Sequence, residues 1–180
     1  GFGKGADGTP ADPYTQHLHD HDVLEIHIED FKRRRDPDVA YHHGLDVAAT
    51  FPTPLPEHAY GDNFIGRNTV DLLEAAPRDQ PLFLQVNFAG PHNPWDVTEA
   101  MHGWYREPDV RFPAPVNPAG EHSAATHQAI RRNYAAMVEN IDRWLERFLE
   151  VVAEPGAREE MLVVFAADHG EMLGDHGLWY

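Results

Sequence analysis

Two acid–histidine pairs lie in the stretch ADHGEMLGDHGLWY, residues 167–180. The first pair, Asp168 and His169, directly follows the apolar run MLVVFAA. Adjacent carboxylate and imidazole groups can both ligate one cation only if the backbone bends sharply, and Gly170 permits such a bend. Alternatively, Asp168 caps a following helix and His169 is exposed beside it. The pair is therefore a candidate for two metal ligands, and two ligands do not complete a metal site.

A third histidine, His92, lies in the motif GPHNPW between Pro91 and Pro94. The two prolines restrict the backbone and predict a stiff loop. A rigid histidine beside a metal is suited to binding an anionic oxygen or to protonating a leaving group. The alternative is a loop histidine with no chemical task. Trp95 follows in the same motif, and it either lines a substrate mouth or anchors the loop by packing.

The second acid–histidine pair, Asp175 and His176, follows no apolar run. This context favours a loop-ordering role, and a substrate-side position for His176 is the alternative. The remaining histidines, including His17, His19 and His21, are predicted to be on the surface.

The elements that must position these residues follow from hydrophobic periodicity. Helical spacing predicts two short helices within residues 14–35, a helix within 55–76 with Asp62 as its cap, and a long helix over 126–153. The apolar runs PLFLQVNF and MLVVFAA are typical of buried strands in parallel sheets. This order predicts an α/β layered domain, with a mainly parallel central sheet flanked by helices. Because ligands bind at the carboxyl ends of such strands, His92 and Asp168–His169 are expected to converge on one site.

Composition restricts the partners of the chain. Fourteen basic residues against 30 acidic ones give a formal net charge of −16, and no basic patch reverses that field. Nucleic acid and anionic membrane surfaces are therefore not expected as partners. Cysteine is absent, which excludes thiol catalysis and disulfides within these residues. The oligomeric state and the compartment are left open.

The two apolar runs and the motifs after them resemble the sulfatase family. PLFLQVNFAGPHNPW is similar to the family's strand ending in Pro-His-x-Pro, and MLVVFAADHGEMLGDHGLWY is similar to its later Asp-His-Gly block. The intervening NYAAMVENIDRWLERFL resembles the helix that joins the two blocks. The resemblance implies a partial catalytic domain of alkaline-phosphatase-like fold, with residues 1–56 as a variable insertion-like region and 57–180 as the core.

The resemblance also implies the roles of individual residues. Asp168 and His169 would ligate a divalent cation, most simply Ca²⁺ with Mg²⁺ or Mn²⁺ as alternatives, and His92 would contact the sulfate and help protonate the departing alcohol. The implied substrate is a small anionic sulfate ester, and the implied nucleophile is a formylglycine made from Cys or Ser. A phosphonate monoester or phosphodiester hydrolase of the same superfamily is the alternative.

Part of the family's machinery is not found in the sequence. The Asp-Asp metal pair and the Cys/Ser-x-Pro-x-Arg nucleophile motif do not occur in these residues, and the Lys expected after GLWY would fall just past Tyr180. We therefore expect that these 180 residues are a segment of a catalytic domain and are inactive by themselves.

Overall fold

The computed structural model describes residues 10, 12–35, 46–120, 122–153 and 161–179, and its regular structure is helical. The α-helices are α1 (Pro13–Asp20), α2 (Leu24–Arg33), α3 (Gly61–Ala75), α4 (Glu99–Gly103) and α5 (Ala124–Ala153), and short 3₁₀ helices span Glu57–Ala59 and Asp175–Gly177. The predictions of two short N-terminal helices, a helix before Pro77 and a long helix near residues 126–153 are confirmed. None of the helices in these ranges combines the length and apolarity that a membrane crossing requires.

Helix α1 begins with a capping box. Asp12 accepts a bond from the Thr15 amide, while its own backbone N–H donates to the Thr15 hydroxyl, and Pro13 occupies the first helical position. These contacts satisfy amide groups that a helix start otherwise leaves open. Leu18 and Leu24, from α1 and α2, are buried against Leu55, and this small core attaches both helices to the segment before α3.

Helix α3 packs closely on α5 because Gly66 has no side chain. A Cβ atom at this position would lie 2.1 Å from the ring of Trp144 on α5. The Trp144 indole N–H donates to the Asn63 side chain at 2.7 Å, so the same ring is also fixed by a hydrogen bond.

The main core lies between α5, α4 and the loop after His92. Its buried residues are Tyr60, Trp95, Val97, Met101, Ile130, Ala136 and Met137. The side chain of Asn133 is a fully buried polar group within this core. Its amide donates to the carbonyls of Thr50 (2.9 Å) and Trp95 (2.7 Å), and its oxygen accepts from Arg106 (2.7 Å). Buried polar groups satisfied in this way fix the relative positions of the segments they join.

The predicted parallel sheet is wrong. Across the described ranges no strand is formed, and strand-type pairing is limited to isolated bridge residues at Pro10 and Arg35. The two apolar runs, residues 81–88 and 161–167, are irregular and are exposed or half-buried, with Phe83 at 90% and Leu162 at 85% exposure. The physical reason is that an apolar run favours a strand only when a neighbouring strand completes its hydrogen-bond ladder. These two runs do not pair with each other or with another described segment.

The division at residues 56 and 57 stays a prediction. Within residues 1–56, positions 1–9, 11 and 36–45 lie outside the described residues, as do 121, 154–160 and Tyr180.

Candidate active site

One pocket brings together the loop that carries His92 and the chain that carries Asp168 and His169. Its volume is about 510 Å³, and its walls are residues 88–92, one face of α5, Phe165 and residues 167–171. The two apolar runs therefore bring their C-terminal ends to one place without forming a sheet.

Asp62 holds the start of the His92 loop. Its carboxylate is 3% exposed and accepts from the amides of Ala89 (3.0 Å) and Gly90 (3.2 and 3.3 Å). Burial raises the pKa of Asp62, and the two amide bonds oppose that rise. A Cβ atom on Gly90 would lie 2.3 Å from the carboxylate, so glycine is required for this approach. The prediction that Asp62 caps α3 is wrong, because Tyr60 occupies the N-cap position and Asp62 reaches the loop instead.

His92 is exposed in the pocket and bound to its own loop. Its Nδ1 lies 2.7 Å from the carbonyl oxygen of Asn93, and Asn93 is buried. The peptide bonds before Pro91 and Pro94 are both cis. The loop thus presents the imidazole on a backbone that two prolines restrict.

Asp168 and His169 lie side by side and also line the pocket. The Asp168 side chain is 93% exposed and that of His169 is 60% exposed, and His169 Nε2 is 3.9 Å from Asp168 Oδ2. Asp168 Oδ1 also accepts from the His169 amide, and His169 Nδ1 lies 3.0 Å from the Gly170 carbonyl. The bond to that carbonyl and the charge of Asp168 raise the pKa of His169. No α-helix begins after Asp168 within residues 169–179, so the helix-cap alternative is not observed.

Glu171 is a pocket residue that the sequence analysis did not identify. Its Oε2 is buried and has no hydrogen-bond partner among the described residues. Burial raises the pKa of Glu171, whereas the charges of His92 and His169 lower it. Its position directly after Asp-His-Gly was the available signal, but an acid there is also typical of a solvated loop.

The second acid–histidine pair lies outside the pocket walls. Asp175 Oδ1 accepts from the guanidinium of Arg131 on α5 (2.8 Å) and from the Val116 amide (2.9 Å). The Val116 bond and the Arg131 charge lower the pKa of Asp175. The His176 amide donates back to the Val116 carbonyl at 2.6 Å, and its backbone has a φ of 55°. These contacts join three separate segments of the chain, which is the geometry that a loop-ordering residue requires.

Trp95 lies in the main core at 2% exposure and is not among the residues that line the pocket. Its ring centroid is 5.9 Å from that of Trp179. Trp95 thus packs the base of the His92 loop against Trp179, at the C-terminal end of the described residues.

The pocket contains donors for a cation but not a complete ligand set. In the part of the chain that the structure describes, no three His, Cys, Asp or Glu side chains surround a common point for a metal ion. The carboxylates at its walls are those of Asp142, Asp168 and Glu171, and two imidazoles also line it. An anionic oxygen would be repelled by these carboxylates unless a positive charge offsets them. The mixed oxygen and nitrogen donors therefore fit part of the coordination shell of a divalent cation.

Comparison with known proteins places the chain in a family. The Sulfatase family profile matches residues 13–180, which is nearly the whole sequence. The chain belongs to the sulfatase family, and the resemblance of its motifs to that family is confirmed.

Curated relatives are similar at low identity. An arylsulfatase of Clostridium perfringens (strain 13 / Type A) is 26% identical over 155 residues, covering 76% of this chain and 32% of the relative. The multifunctional alkaline phosphatase superfamily protein PehA of Trinickia caryophylli is 26% identical over 169 residues, with the same two coverages of 76% and 32%. Iduronate 2-sulfatase of Homo sapiens is 23% identical, covering 98% of this chain and 38% of the relative. The chain thus spans about a third of the length of the curated relatives it matches.

Proposed function

We propose that the protein hydrolyses sulfate esters, with His92, Asp168 and His169 at the reacting end of the pocket. The observation that carries the proposal is the shared pocket, in which the Pro-His-x-Pro loop and the Asp-His-Gly segment meet although they are 76 residues apart in sequence, from His92 to Asp168. Membership of the sulfatase family supports the same reaction class.

Asp168 and His169 would hold a divalent cation, most simply Ca²⁺, with Mg²⁺ or Mn²⁺ as alternatives. When bound, such an ion offsets the charge of the ester oxygens and of the pocket carboxylates. Asp168 suits this role because its carboxylate is exposed toward the pocket and is fixed at one oxygen by the His169 amide. Asp168 Oδ2 and His169 Nε2 lie 3.9 Å apart, so these two atoms would be the metal donors.

His92 would give a proton to the departing alcohol. A bond from Nδ1 to the Asn93 carbonyl requires the proton on Nδ1. The proton given to the departing alcohol would therefore come from Nε2. The carboxyl group of Glu171 lines the same pocket as this imidazole. Asp62 keeps the loop in place through the amides of Ala89 and Gly90.

The nucleophile of this proposal is a formylglycine, made from Cys or Ser outside these 180 residues. No Cys occurs here, and Ser123 lies in GEHSAAT, which is not the modification motif. We therefore expect the purified 180-residue chain to release no sulfate from aryl sulfates, because a positioned nucleophile supplies much of the acceleration in such a site.

A second candidate function is hydrolysis of a phosphonate monoester or phosphodiester. It is favoured by the similarity to PehA, which is described as a multifunctional member of the alkaline phosphatase superfamily. The same three pocket residues would serve that reaction. The turnover rates for sulfate and phosphorus esters therefore distinguish the two candidate functions.

The experiment is a substrate and metal assay on the protein encoded by the complete gene. We expect aryl sulfate turnover to exceed that of a matched phosphonate monoester and phosphodiester. Asp168→Ala should lose both bound metal and turnover, whereas His92→Ala should retain the metal and lower kcat by about 10²- to 10⁴-fold. Metal content is measured by mass spectrometry on the same samples.

Asp71→Ala and His19→Ala are the matched controls, because both residues are exposed and lie outside the pocket. Both should retain wild-type metal content and turnover. Equal metal loss in the Asp168 and His92 variants would show that the two roles are wrongly separated. Faster turnover of a phosphorus ester would replace the sulfatase proposal by the second candidate.

A further inference from the structure

Three histidine rings cluster on the surface formed by α1 and the 3₁₀ helix Glu57–Ala59. His17 and His21 are four residues apart on α1, so they share one face of the helix, and His58 comes from the 3₁₀ helix. The ring centroids are 4.2 Å apart for His17–His21, 5.0 Å for His21–His58 and 6.3 Å for His17–His58. None of the three lines the pocket that holds His92.

These separations scatter about the value that a tetrahedral metal site imposes. With a metal–nitrogen distance of about 2.1 Å, two imidazoles on one tetrahedral ion have centroids roughly 5 Å apart. The three observed separations lie on both sides of that value, so shifts of about 1 Å would equalise them. In the described rotamers the ring nitrogens do not surround a common point, and the rings must therefore turn about their side-chain torsions. His21 and His58 are exposed and His17 is half-buried, which leaves room for that turn.

Two of the rings already bind backbone carbonyls through one nitrogen. His21 Nδ1 lies 2.8 Å from the His17 carbonyl, and His17 Nε2 lies 3.1 Å from the His58 carbonyl. When these nitrogens donate, the lone pair is on the other nitrogen of each ring. Metal-binding histidines characteristically donate their second N–H to a carbonyl or carboxylate in this way, because the bond fixes the tautomer and the ring orientation.

The groups in and around the cluster restrict the kind of metal ion that it can bind. Arg67 donates to the His58 carbonyl and places a positive charge beside the cluster, while the Asp20 carboxylate binds the side chains of Gln16 and His19. No carboxylate is hydrogen-bonded to any of the three rings in the described residues. Hard ions such as Ca²⁺ and Mg²⁺ require oxygen ligands, whereas imidazole suits Zn²⁺, Co²⁺, Ni²⁺ and Cu²⁺.

We propose that His17, His21 and His58 bind one divalent transition metal ion, with Zn²⁺ as the representative ion and water at the fourth position. The bound ion would cross-link α1 to the segment that leads into α3. This site is separate from the pocket and does not depend on the proposed sulfatase function.

The experiment is a Co²⁺ titration of the tag-free chain, followed by visible absorption. Tetrahedral Co²⁺ gives strong d–d bands that a hexahydrated ion does not, so the spectrum reports the coordination geometry directly. We expect one tetrahedral Co²⁺ per chain, displaced by one equivalent of Zn²⁺. His21→Ala and His58→Ala should each weaken binding at least about tenfold.

His19→Ala is the matched control, because His19 is an exposed histidine on the same helix and is not in the cluster. It should bind Co²⁺ as the wild type does. Circular dichroism checks that every variant retains its helices. Equal binding by the His19, His21 and His58 variants would overturn the proposal, as would a purely octahedral Co²⁺ spectrum.

Discussion

Asp62 is the residue whose contacts do most to place the candidate catalytic histidine. Its carboxylate and the Ala89 and Gly90 amides are 27 and 28 positions apart in the sequence, yet they lie within 3.0–3.3 Å. His92 follows two residues after Gly90, so the position of the imidazole depends on these two hydrogen-bonded amides.

Replacement of Asp62 by Ala should release the start of the His92 loop. The two part-buried amides lose their acceptor, which we expect to lower the free energy of unfolding by about 1–3 kcal/mol. Urea unfolding measures that loss, and amide hydrogen exchange at Ala89 and Gly90 shows whether it is local. Asp71→Ala, on the exposed side of the same helix, should change stability by less than about 0.5 kcal/mol. Unchanged exchange at Ala89 and Gly90 in the Asp62 variant would contradict this account.

The sequence predicted the three candidate pocket residues, and it did not predict how they are held. The types and neighbours of His92, Asp168 and His169 are local features that can be read from motifs. The contact of Asp62 with the loop and the position of Glu171 in the same pocket as both imidazoles depend on the tertiary fold, and a single sequence contains no direct signal for either.

At the scale of elements, the contact between α3 and α5 favours a glycine where a helix would otherwise be more stable with alanine. Glycine in the middle of a helix is usually less stable than alanine by about 1 kcal/mol. At Gly66, however, a Cβ atom would lie 2.1–2.6 Å from ring atoms of Trp144, and real Cβ contacts are longer than this. The steric cost exceeds the gain in helix propensity because the ring is also fixed by Asn63.

Gly66→Ala is therefore expected to destabilise the chain by about 1–3 kcal/mol, in the range of overpacked cores. Thermal and urea unfolding measure the change. Gly103→Ala is the matched control, because a Cβ atom at Gly103 at the end of α4 meets no atom within 4 Å. A Gly66 variant as stable as the control would show that Trp144 moves aside at little cost.

The helices were predictable and the sheet was not, and the reason is the range of the interactions involved. Helical hydrogen bonds join residues four apart, so the spacing of Ile130, Met137 and Ile141 is sufficient to indicate α5. A strand requires a partner at an unspecified distance along the chain. The run around Phe83 has the composition of a buried strand, and without a ladder it remains irregular and exposed.

For the molecule as a whole, a buried carboxyl group should make stability depend on pH. The carboxyl group of Asp96 is enclosed, although the residue itself is half-buried, and burial raises its pKa to about 6 against the opposing charge of Arg34. Between about pH 4 and pH 6 the folded chain retains a proton that the unfolded chain has released. This contribution is complete below the unfolded pKa of about 3.8 and is lost as the pH rises through about 6.

Asp96→Asn removes that titration and should stabilise the chain relative to wild type at neutral pH. A shift of roughly two pKa units corresponds to a difference of up to about 3 kcal/mol at pH 7, falling toward zero near pH 4. Urea unfolding of both proteins between pH 4 and pH 7 measures the difference, in which the contributions of the 13 histidines cancel. A constant difference across this range would show that Asp96 titrates normally in the folded chain.

The long helix α5 serves both the core and the pocket. Its residues Ile130, Asn133 and Met137 are buried in the core, while Val138 and Leu145 form part of the pocket wall. A rigid rod of 30 residues, roughly 45 Å long, cannot rotate at one face without rotating at the other. Adaptation of the pocket to a new substrate through α5 would therefore disturb the core in the same step. Variation of substrate preference among proteins with this arrangement should accumulate at pocket positions outside α5 that hold no reacting group, such as Phe88 and Phe165.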